Sequence, residues 1–349
     1  MSTPGALQRA LRMALVRGGS GLLVLACTVA LVWGLGALWF QLPGGVVLKV
    51  LALLVWTGLA VIALRSSLAP CRRWRGLLPF GATLALLLVW WSGIEPRQDR
   101  DWADDVARPL QARLEGERLV IDNVRNFHWR SRDDYDIAWE HREYDLGQVV
   151  SADMLLSYWT LPAIAHTLVS FGFEDGRHLV FSLEIRKERD ESFSALGGFF
   201  RKFEAVLVAS DERDIVHVRS NVREEDVYLY RLHGLSRAEL RELLRSYVAQ
   251  GDALRARPAF YNTLTSNCTT VVFDLVRGIA PGLPLDWRLL ASGYLAGYAY
   301  DIGGLQPGYD LQTLRERGRI TARARASGDN DDFSRVIRRG IPGTEQGSP

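Results

Sequence analysis

The stretch Tyr261-Asn-Thr-Leu-Thr-Ser-Asn-Cys-Thr-Thr270 decides the fold prediction, because it places a cysteine directly before a helical run. That run covers residues 269–277, and either Ser266 or Asn267 fits the N-cap position before it. A thiol in the first turn of a helix lies beside unpaired backbone N–H groups and the positive end of the helix dipole. Both favour the thiolate form. The stretch therefore predicts that Cys268 is a nucleophile.

Composition limits the other classes of function. The chain has 349 residues and a formal net charge of +2, so no global charge favours a nucleic-acid partner. Its other cysteines, Cys27 and Cys71, form no metal-binding or disulfide spacing with Cys268, and the six histidines form no HExxH pair. We expect no metal and no cofactor. The competing interpretation of Cys268 is a small buried apolar side chain.

Three apolar runs occupy the N-terminal third of the chain, at about residues 21–40, 46–64 and 77–94. A membrane-spanning helix needs about 20 apolar residues, with a range of about 17–25. The first two runs meet that length and the third is borderline. Trp90 and Trp91 near the end of the third run are typical of a membrane interface. Residues 1–94 therefore predict a membrane segment of three transmembrane helices.

The distribution of arginines orients this segment. Basic residues precede the first run and separate the second from the third, at Arg9, Arg12, Arg17, Arg65, Arg72, Arg73 and Arg75. The loop between the first two runs, residues 41–45, carries no positive charge. By the positive-inside rule both basic segments face the cytoplasm. Three crossings then place everything after residue 94 on the opposite side, which is the periplasm in a bacterium with two membranes. Two crossings, with the third run not spanning, would leave the domain in the cytoplasm, and we prefer the first interpretation.

The clearest local structure beyond the membrane segment is a β-hairpin. Residues 163–173 and 178–188 alternate in polarity around the turn Glu174-Asp-Gly-Arg177. A two-residue turn pairs His166 with Ile185, whereas a three-residue loop with Gly176 in the left-handed position pairs His166 with Glu184. The second register keeps the apolar residues on one face, so we prefer it. A carboxylate opposite a histidine orients its ring and raises its pKa.

The rest of the chain contains a predicted connector, further strands, a helix and a tail. Residues 95–117 predict a polar connector, and further strands are expected at about 203–209, 215–220 and 227–232. A capping box at Ser236 and Glu239 predicts a helix. From residue 301 onward we predict an extension that is largely a disordered tail, because large apolar residues become rare after Gly318.

These elements supply the parts of a thiol-dependent site. Cys268 is the nucleophile, His166 the base and Glu184 its orienting partner, with Ser182 or His178 as alternatives for the third member. The Cys268 backbone N–H and a second donor would bind an oxyanion. The candidates for oxyanion binding or substrate positioning are Asn267, Tyr261 and Trp159, and rival bases are His128, His141, His178 and His233.

Several spaced motifs resemble the bacterial family named after the N-terminal periplasmic domain of the lipoprotein N-acyltransferase Lnb. They are Asn126-Phe-His-Trp-Arg130, Tyr144-Asp-Leu146, Ser157-Tyr-Trp159, Ala163-Ile-Ala-His-Thr167, Ser182-Leu-Glu-Ile-Arg186, and Tyr261-Asn262 with Asn267-Cys-Thr-Thr270. The resemblance covers about residues 118–300. It implies an α+β fold with a circularly permuted papain-like domain, in which an antiparallel sheet packs against helices. Cys268 and His166 carry over by motif.

The resemblance also implies thiol acyl chemistry at the inner membrane, on lipid or lipoprotein acyl chains, with membrane lipids and possibly lipoproteins as partners. Two other classes stay open at this point. A papain-like amidase or peptidase acting on cell-wall peptides uses the same residues. A non-catalytic envelope protein can keep the fold for binding alone.

Overall fold

The computed structural model of the chain describes residues 4–69 and 73–344, with side chains described from residue 19 onward. The side chains of Arg9, Arg12 and Arg17, together with Cys71 and Arg72, lie outside the described residues. So does the end of the predicted tail, residues 345–349. The predictions made on these residues are therefore not tested by the structure.

The described chain begins with helices, continues with strands β1 to β8, and ends with helices after β10. The helices are α1 (Pro4–Gln41), α2 (Val46–Ser67), α3 (Arg73–Ser92), α4 (Ala195–Phe199), α5 (Glu212–His217), α6 (Arg237–Ala256), α7 (Cys268–Ile279), α8 (Leu295–Asp301), α9 (Leu311–Gly318), α10 (Thr321–Ser327) and α11 (Phe333–Ile337). The strands are β1 (Ala112–Glu115), β2 (Arg118–Arg125), β3 (His128–Trp129), β4 (Tyr135–Asp136), β5 (Trp139–Asp145), β6 (Val149–Tyr158), β7 (Ala165–Phe173), β8 (His178–Arg186), β9 (Glu204–Ser210) and β10 (Asp226–Arg231). The chain divides into two compact units. The first unit contains the residues up to Pro96 together with Ser194–Lys202. The second unit contains Arg97–Phe193 together with the chain from Phe203 onward.

The first unit contains the three predicted apolar helices. The segments Gly19–Gln41, Val46–Ser67 and Arg73–Ser92 are each long and apolar enough to cross a membrane by length and composition. Their outward faces are apolar, as the exposed side chains of Leu22, Val47, Leu54, Leu86 and Val89 demonstrate. Inside the unit, helices pack closely, and a Cβ on Gly34 would collide with the indole of Trp56.

A single mixed sheet forms the centre of the second unit. Its strand order is β1-β2-β9-β8-β7-β6-β10, and β5 pairs with β2 at the side. The pairs are antiparallel except for one parallel contact, Arg125 with Ser210, between β2 and β9. The fold is thus three N-terminal apolar helices followed by a largely antiparallel sheet packed on helices, as predicted. The permuted papain-like relationship stays a prediction.

Alternation along β7 sends its side chains to two differently covered faces. Val169 and Phe171 face a core shared with Leu244 and Tyr247 of α6, and α7 packs on the same face. Leu168 faces the second core, which contains Ile215 of α5 and the apolar residues of α10 and α11. The sheet is therefore buried between two helical layers, and its central strands are apolar on both sides.

Two segments differ from the sequence prediction. The predicted connector, 95–117, is part of the folded domain: β1 pairs with β2, and the Arg186 guanidinium lies 4.4 Å from the centre of the buried Trp102 ring. The predicted strand at 215–220 is instead α5 followed by a π-helical turn, Val218–Val222. The β-branched residues there favoured a strand, but Asp211 caps a helix by accepting from the Arg213 N–H.

The predicted disordered tail is also wrong for the described residues. The chain from Leu311 to Ile337 forms α9, α10 and α11. Most of its few large apolar residues lie in the core, where Ile320, Phe333 and Ile337 are almost completely buried. Low apolar content predicted disorder, but the spacing of these residues lets a short segment cover one sheet face.

A buried ion cluster fixes this C-terminal layer to the sheet. The Arg338 guanidinium donates to Asp153 of β6 at 2.7 Å and to Glu212 of α5 at 2.7 Å. Ser170 of β7 donates to the same Glu212 carboxylate at 2.5 Å. Burial alone would raise the pKa of Glu212, yet Arg338 holds it well below its usual range. The cluster therefore keeps two buried carboxylates charged and paired.

Replacing Arg338 by methionine should destabilise the domain, because Glu212 would stay buried without its cation and Asp153 would keep only its ion pair with Arg231. The expected loss in the free energy of unfolding is about 3–5 kcal/mol, measured by denaturant titration of the full chain in mild detergent. Arg339→Met, at the exposed neighbouring position, is the matched control and should leave the unfolding curve nearly unchanged. Equal stability of the two variants would show that the cluster does not hold the tail.

Candidate active site

Cys268 begins helix α7, as the sequence predicts. Asn267 is the N-cap, and its side-chain oxygen accepts from the N–H groups of Thr269 and Thr270. The thiol is buried, with 5% of the residue exposed. The backbone N–H of Thr167 donates to Sγ at 3.5 Å, and the Thr167 and Thr269 hydroxyls lie 3.0 Å apart. The start of α7 is therefore joined to the start of β7 by two contacts.

The hairpin has the three-residue loop. Phe173 N–H donates to the Arg177 carbonyl, Gly176 has a positive φ of 83°, and Phe171 pairs with Leu179. The paired part of β7 and β8 runs from Gly172 with His178 to Val169 with Phe181. At the next hydrogen-bonding position, Thr167, the N–H donates to the thiol. Because this N–H bonds to the sulfur and not to β8, the sulfur lies where the two strands separate. The gap between the strands lets the sulfur reach His166, whose side chain lies on the other face of β7.

His166, Ser182 and Glu184 form one hydrogen-bonded group. The His166 Nε2 atom lies 2.7 Å from Ser182 Oγ and 3.2 Å from a Glu184 carboxylate oxygen, and Ser182 Oγ donates to the same carboxylate at 2.7 Å. Because a carboxylate only accepts, Ser182 must accept from a protonated Nε2. This assignment leaves Nδ1 as the nitrogen that faces the thiol.

The structure adds a cation that the sequence prediction missed. Arg219, in the π-helical turn, donates to Glu184 at 2.8 Å and also lies 3.3 Å from Glu225. Glu225 accepts a short hydrogen bond from Ser157 of β6. Arg219, Glu225 and Ser157 are buried and Glu184 is largely buried, so Arg219 holds the Glu184 carboxylate in place and compensates its charge. In the sequence, Arg219 stood out only as a basic residue within the run 215–220, which we predicted to be a strand.

The electrostatics of this group favour an ion pair between thiolate and imidazolium. Burial would raise the pKa of Cys268, but attraction and hydrogen bonding to His166, with the Thr167 N–H, lower it to about 7. For His166, burial and Arg219 act to lower the pKa, but Glu184 and Cys268 raise it to about 9. Burial opposes ionisation of Glu184 as well, yet His166 and Arg219 hold its pKa well below the usual range.

Tyr261 supplies a second donor beside the sulfur. Its hydroxyl interacts with both the thiol and the backbone N–H of Cys268, and its own N–H donates to the Phe203 carbonyl at 3.0 Å. Burial, followed by the charge of Cys268, raises the pKa of Tyr261. The hydroxyl therefore keeps its proton near neutral pH and can donate it in a hydrogen bond.

The other predicted residues take different places. Both ends of the Asn267 amide serve the cap, since its nitrogen donates to the Thr263 carbonyl at 2.9 Å. Trp159 is exposed and packs edge-on against Phe193, with 5.9 Å between ring centres. No contact among the described residues joins Trp159 to Cys268 or His166. A role for either residue in oxyanion binding or substrate positioning stays a prediction.

The rival histidines lie elsewhere. His128 contacts Asp329 at 2.9 Å, His141 contacts Asp122 at 3.0 Å, and the His178 ring faces the Gly176 carbonyl beside the hairpin turn. The backbone N–H of His233 donates to the Gly304 carbonyl. Within residues 4–69 and 73–344, no group of three His, Cys, Asp or Glu side chains has the arrangement of a metal site.

Comparison with known families supports the resemblance. The family model described as the Lnb N-terminal periplasmic domain matches residues 135–293. The match includes every residue named for the site: Trp159, His166, Ser182, Glu184, Arg219, Tyr261, Asn267 and Cys268. No curated protein and no solved structure matches the chain.

The pH dependence of thiol alkylation tests the ion pair. Iodoacetamide reacts with the thiolate, so modification of the peptide containing Cys268, followed by mass spectrometry, should reach half its maximal rate near pH 7. His166→Gln removes the cation that lowers the thiol pKa. The midpoint should then rise by at least about one pH unit, toward or above the ordinary value of about 8.5.

His141→Gln is the control for this experiment, because His141 is exposed and contacts Asp122 rather than the thiol. Its alkylation midpoint should equal that of the parent chain. An unchanged midpoint in His166→Gln would mean that the imidazole does not stabilise the thiolate.

Proposed function

We propose that this protein is a membrane-anchored, cysteine-dependent acyltransferase or acyl hydrolase whose site faces the periplasm. Its substrates would be acyl esters of lipids or lipoproteins, and the acyl group would pass through a thioester on Cys268. One observation carries the proposal: a buried thiol begins a helix and is paired with His166, whose other nitrogen contacts Ser182 and Glu184. That arrangement is the activated nucleophile of thiol acyl transfer.

The location follows from the first unit and from the family match. Three helices are long and apolar enough to cross a membrane, and residues 135–293 match a periplasmic-domain family, which fits an inner-membrane protein with a periplasmic domain. We propose that all three helices cross. The basic residues before α1 and between α2 and α3 would then lie in the cytoplasm, and the sheet domain would follow the third crossing into the periplasm.

The first half of the reaction would form the thioester. The Cys268 thiolate attacks the ester carbonyl carbon, a C–S bond forms, and the carbonyl oxygen becomes an oxyanion. We propose that the Cys268 N–H and the Tyr261 hydroxyl, which contact each other beside the thiol, both donate to that oxygen once substrate is bound. As the intermediate collapses, the C–O bond breaks and the leaving alkoxide takes the proton from the His166 imidazolium.

The second half would release the acyl group. Neutral His166 accepts a proton from an incoming amine or water as that nucleophile attacks the thioester carbonyl, and the C–S bond then breaks to regenerate the thiolate. An amine acceptor gives acyl transfer and water gives hydrolysis. Glu184, held by Arg219, stabilises the imidazolium in both halves and fixes the ring through Ser182.

Mass spectrometry of the intact protein tests this proposal. Full-length protein incubated with bacterial phospholipid or diacylated lipoprotein in detergent should gain one acyl group on the Cys268 peptide, and neutral hydroxylamine should remove it, because a thioester is labile to that reagent. Cys268→Ala should gain none. The same incubation with cell-wall peptides distinguishes the amidase alternative, which would give cleaved peptide and no lipid acylation.

Tyr261→Phe separates oxyanion binding from thiol activation. Acyl transfer builds negative charge on a carbonyl oxygen, so loss of the hydroxyl should slow thioester formation about 10–100-fold. Alkylation by iodoacetamide forms no oxyanion, and its rate on the high-pH plateau should change little. Tyr300→Phe, at an exposed position, serves as the control. Equal losses in both reactions would assign Tyr261 to thiol activation alone.

A further inference from the structure

An apolar surface lies beside the site and is not used by the mechanism. We call it the apolar rim, and its members are Trp159, Leu161, Ile164, Phe193, Trp287 and Leu290. Each is exposed, with values of 60% for Leu161, 63% for Trp287 and 59% for Leu290. Exposed apolar surface of this extent on a folded domain marks an interaction site more often than chance exposure.

Contacts among its members make the rim continuous. The Phe193 ring packs edge-on against Trp159, and Trp159 begins the turn between β6 and β7 that carries Leu161 and Ile164. Gly293 N–H donates to the Ala163 carbonyl of that turn at 3.1 Å. The segment around Gly293 in turn carries Trp287, whose ring lies 5.4 Å from that of Tyr294. Two loops and Phe193 thus form one surface.

The rim is held rigidly and adjoins the site. The Tyr158 hydroxyl donates to the Gly293 carbonyl at 2.7 Å, and the Ala165 N–H, one residue before His166, donates to Ser292 Oγ at 2.9 Å. A Cβ on Gly293 would collide with the Pro162 carbonyl. The rim is therefore bonded to the backbone of β7 one residue before His166.

Charged side chains are few in the two loops of the rim, and the charged run 187–191 precedes Phe193 without contributing a rim member. Residues 159–164, Trp-Thr-Leu-Pro-Ala-Ile, contain no ionisable side chain. Between residues 283 and 294 the charged residues are Asp286 and Arg288, which pair with each other at 2.9 Å. Exposed tryptophan and leucine without net charge are typical of surfaces that enter the headgroup–acyl boundary of a bilayer.

Chain connectivity favours a lipid occupant over a protein partner. Phe193 is bonded directly to Ser194, the first residue of the segment that belongs to the helical unit. Within that unit, Phe200 of this segment stacks on Phe40 near the end of α1, and the Gln41 side chain donates to the Phe200 carbonyl. The rim is therefore covalently continuous with the part of the chain that contains the candidate membrane spans.

We propose that the apolar rim inserts into the headgroup–acyl boundary of the bilayer that anchors the chain, and so positions His166 and Cys268 at the depth of a lipid ester. The inference rests on the proposed membrane anchoring and lipid substrate. It assigns Trp159 to membrane contact rather than to oxyanion binding.

Fluorescence quenching tests the insertion without relying on catalysis. In a background of Cys27→Ala, Cys71→Ser and Cys268→Ser, the full chain carrying Leu290→Cys is labelled with an environment-sensitive dye. It is then placed in phosphatidylethanolamine–phosphatidylglycerol nanodiscs that contain lipids spin-labelled near the headgroup. The label should be quenched severalfold more than in detergent. The control is Leu114→Cys, exposed on β1 at the far edge of the sheet, which should show little quenching.

A second measurement connects the rim to substrate access. In the chain with its native cysteines, Leu161→Asp with Leu290→Asp should slow thioester formation from vesicle phospholipid about tenfold or more, since two large apolar contacts are lost. Alkylation of Cys268 should be unchanged. Leu114→Asp is the matched control.

The outcomes separate this inference from the proposed function. Quenching at position 290 without any lipid-derived thioester would support the rim and contradict the acyl chemistry. Thioester formation with equal, weak quenching at positions 290 and 114 would support the chemistry and overturn the rim. Unchanged acylation in the double aspartate variant would also overturn it.

Discussion

The contact on which the site depends is the hydrogen bond from the Thr167 N–H to the Cys268 sulfur. In a continuous hairpin that N–H would point to the opposite strand, and the closed ladder would separate a helix on one face of the sheet from a histidine on the other. Here the strands part, and the sulfur occupies the opening. A helix N-terminus, a strand end and a buried imidazole can therefore meet without exposing the thiol to bulk water.

The parts of this arrangement that follow local rules could be read from the sequence. A Gly in the left-handed position fixes the hairpin loop, and the loop fixes the register, which is observed from Gly172 to Val169. The strands part beyond that point, but the same register puts His166 and Glu184 on one face of the sheet, where their side chains meet. The N-cap at Asn267 fixes where α7 begins. Each inference needed only a few neighbouring residues, so no knowledge of the tertiary structure was required.

The parts that depend on distant residues could not be read in the same way. Arg219 reaches Glu184 because a π-helical turn replaces the predicted strand. No local sequence pattern that we used predicts a π-helical turn. The participation of Ser182 as a bridge also depends on side-chain geometry rather than on register. The C-terminal segment was misjudged for a related reason, since average composition does not reveal that Ile320 and Ile337 lie under the sheet.

The buried position of Arg338 has a consequence for which parts of the domain open together. Arg338 follows α11 and bonds to carboxylates of β6 and α5, and Ser170 on the strand that carries His166 donates to one of them. Local opening of the C-terminal helices would leave the Glu212 carboxylate buried without its cation, beside that strand. We therefore expect the C-terminal layer and the strand of the proposed base to behave as one cooperative unit in local unfolding, although they are far apart in the sequence.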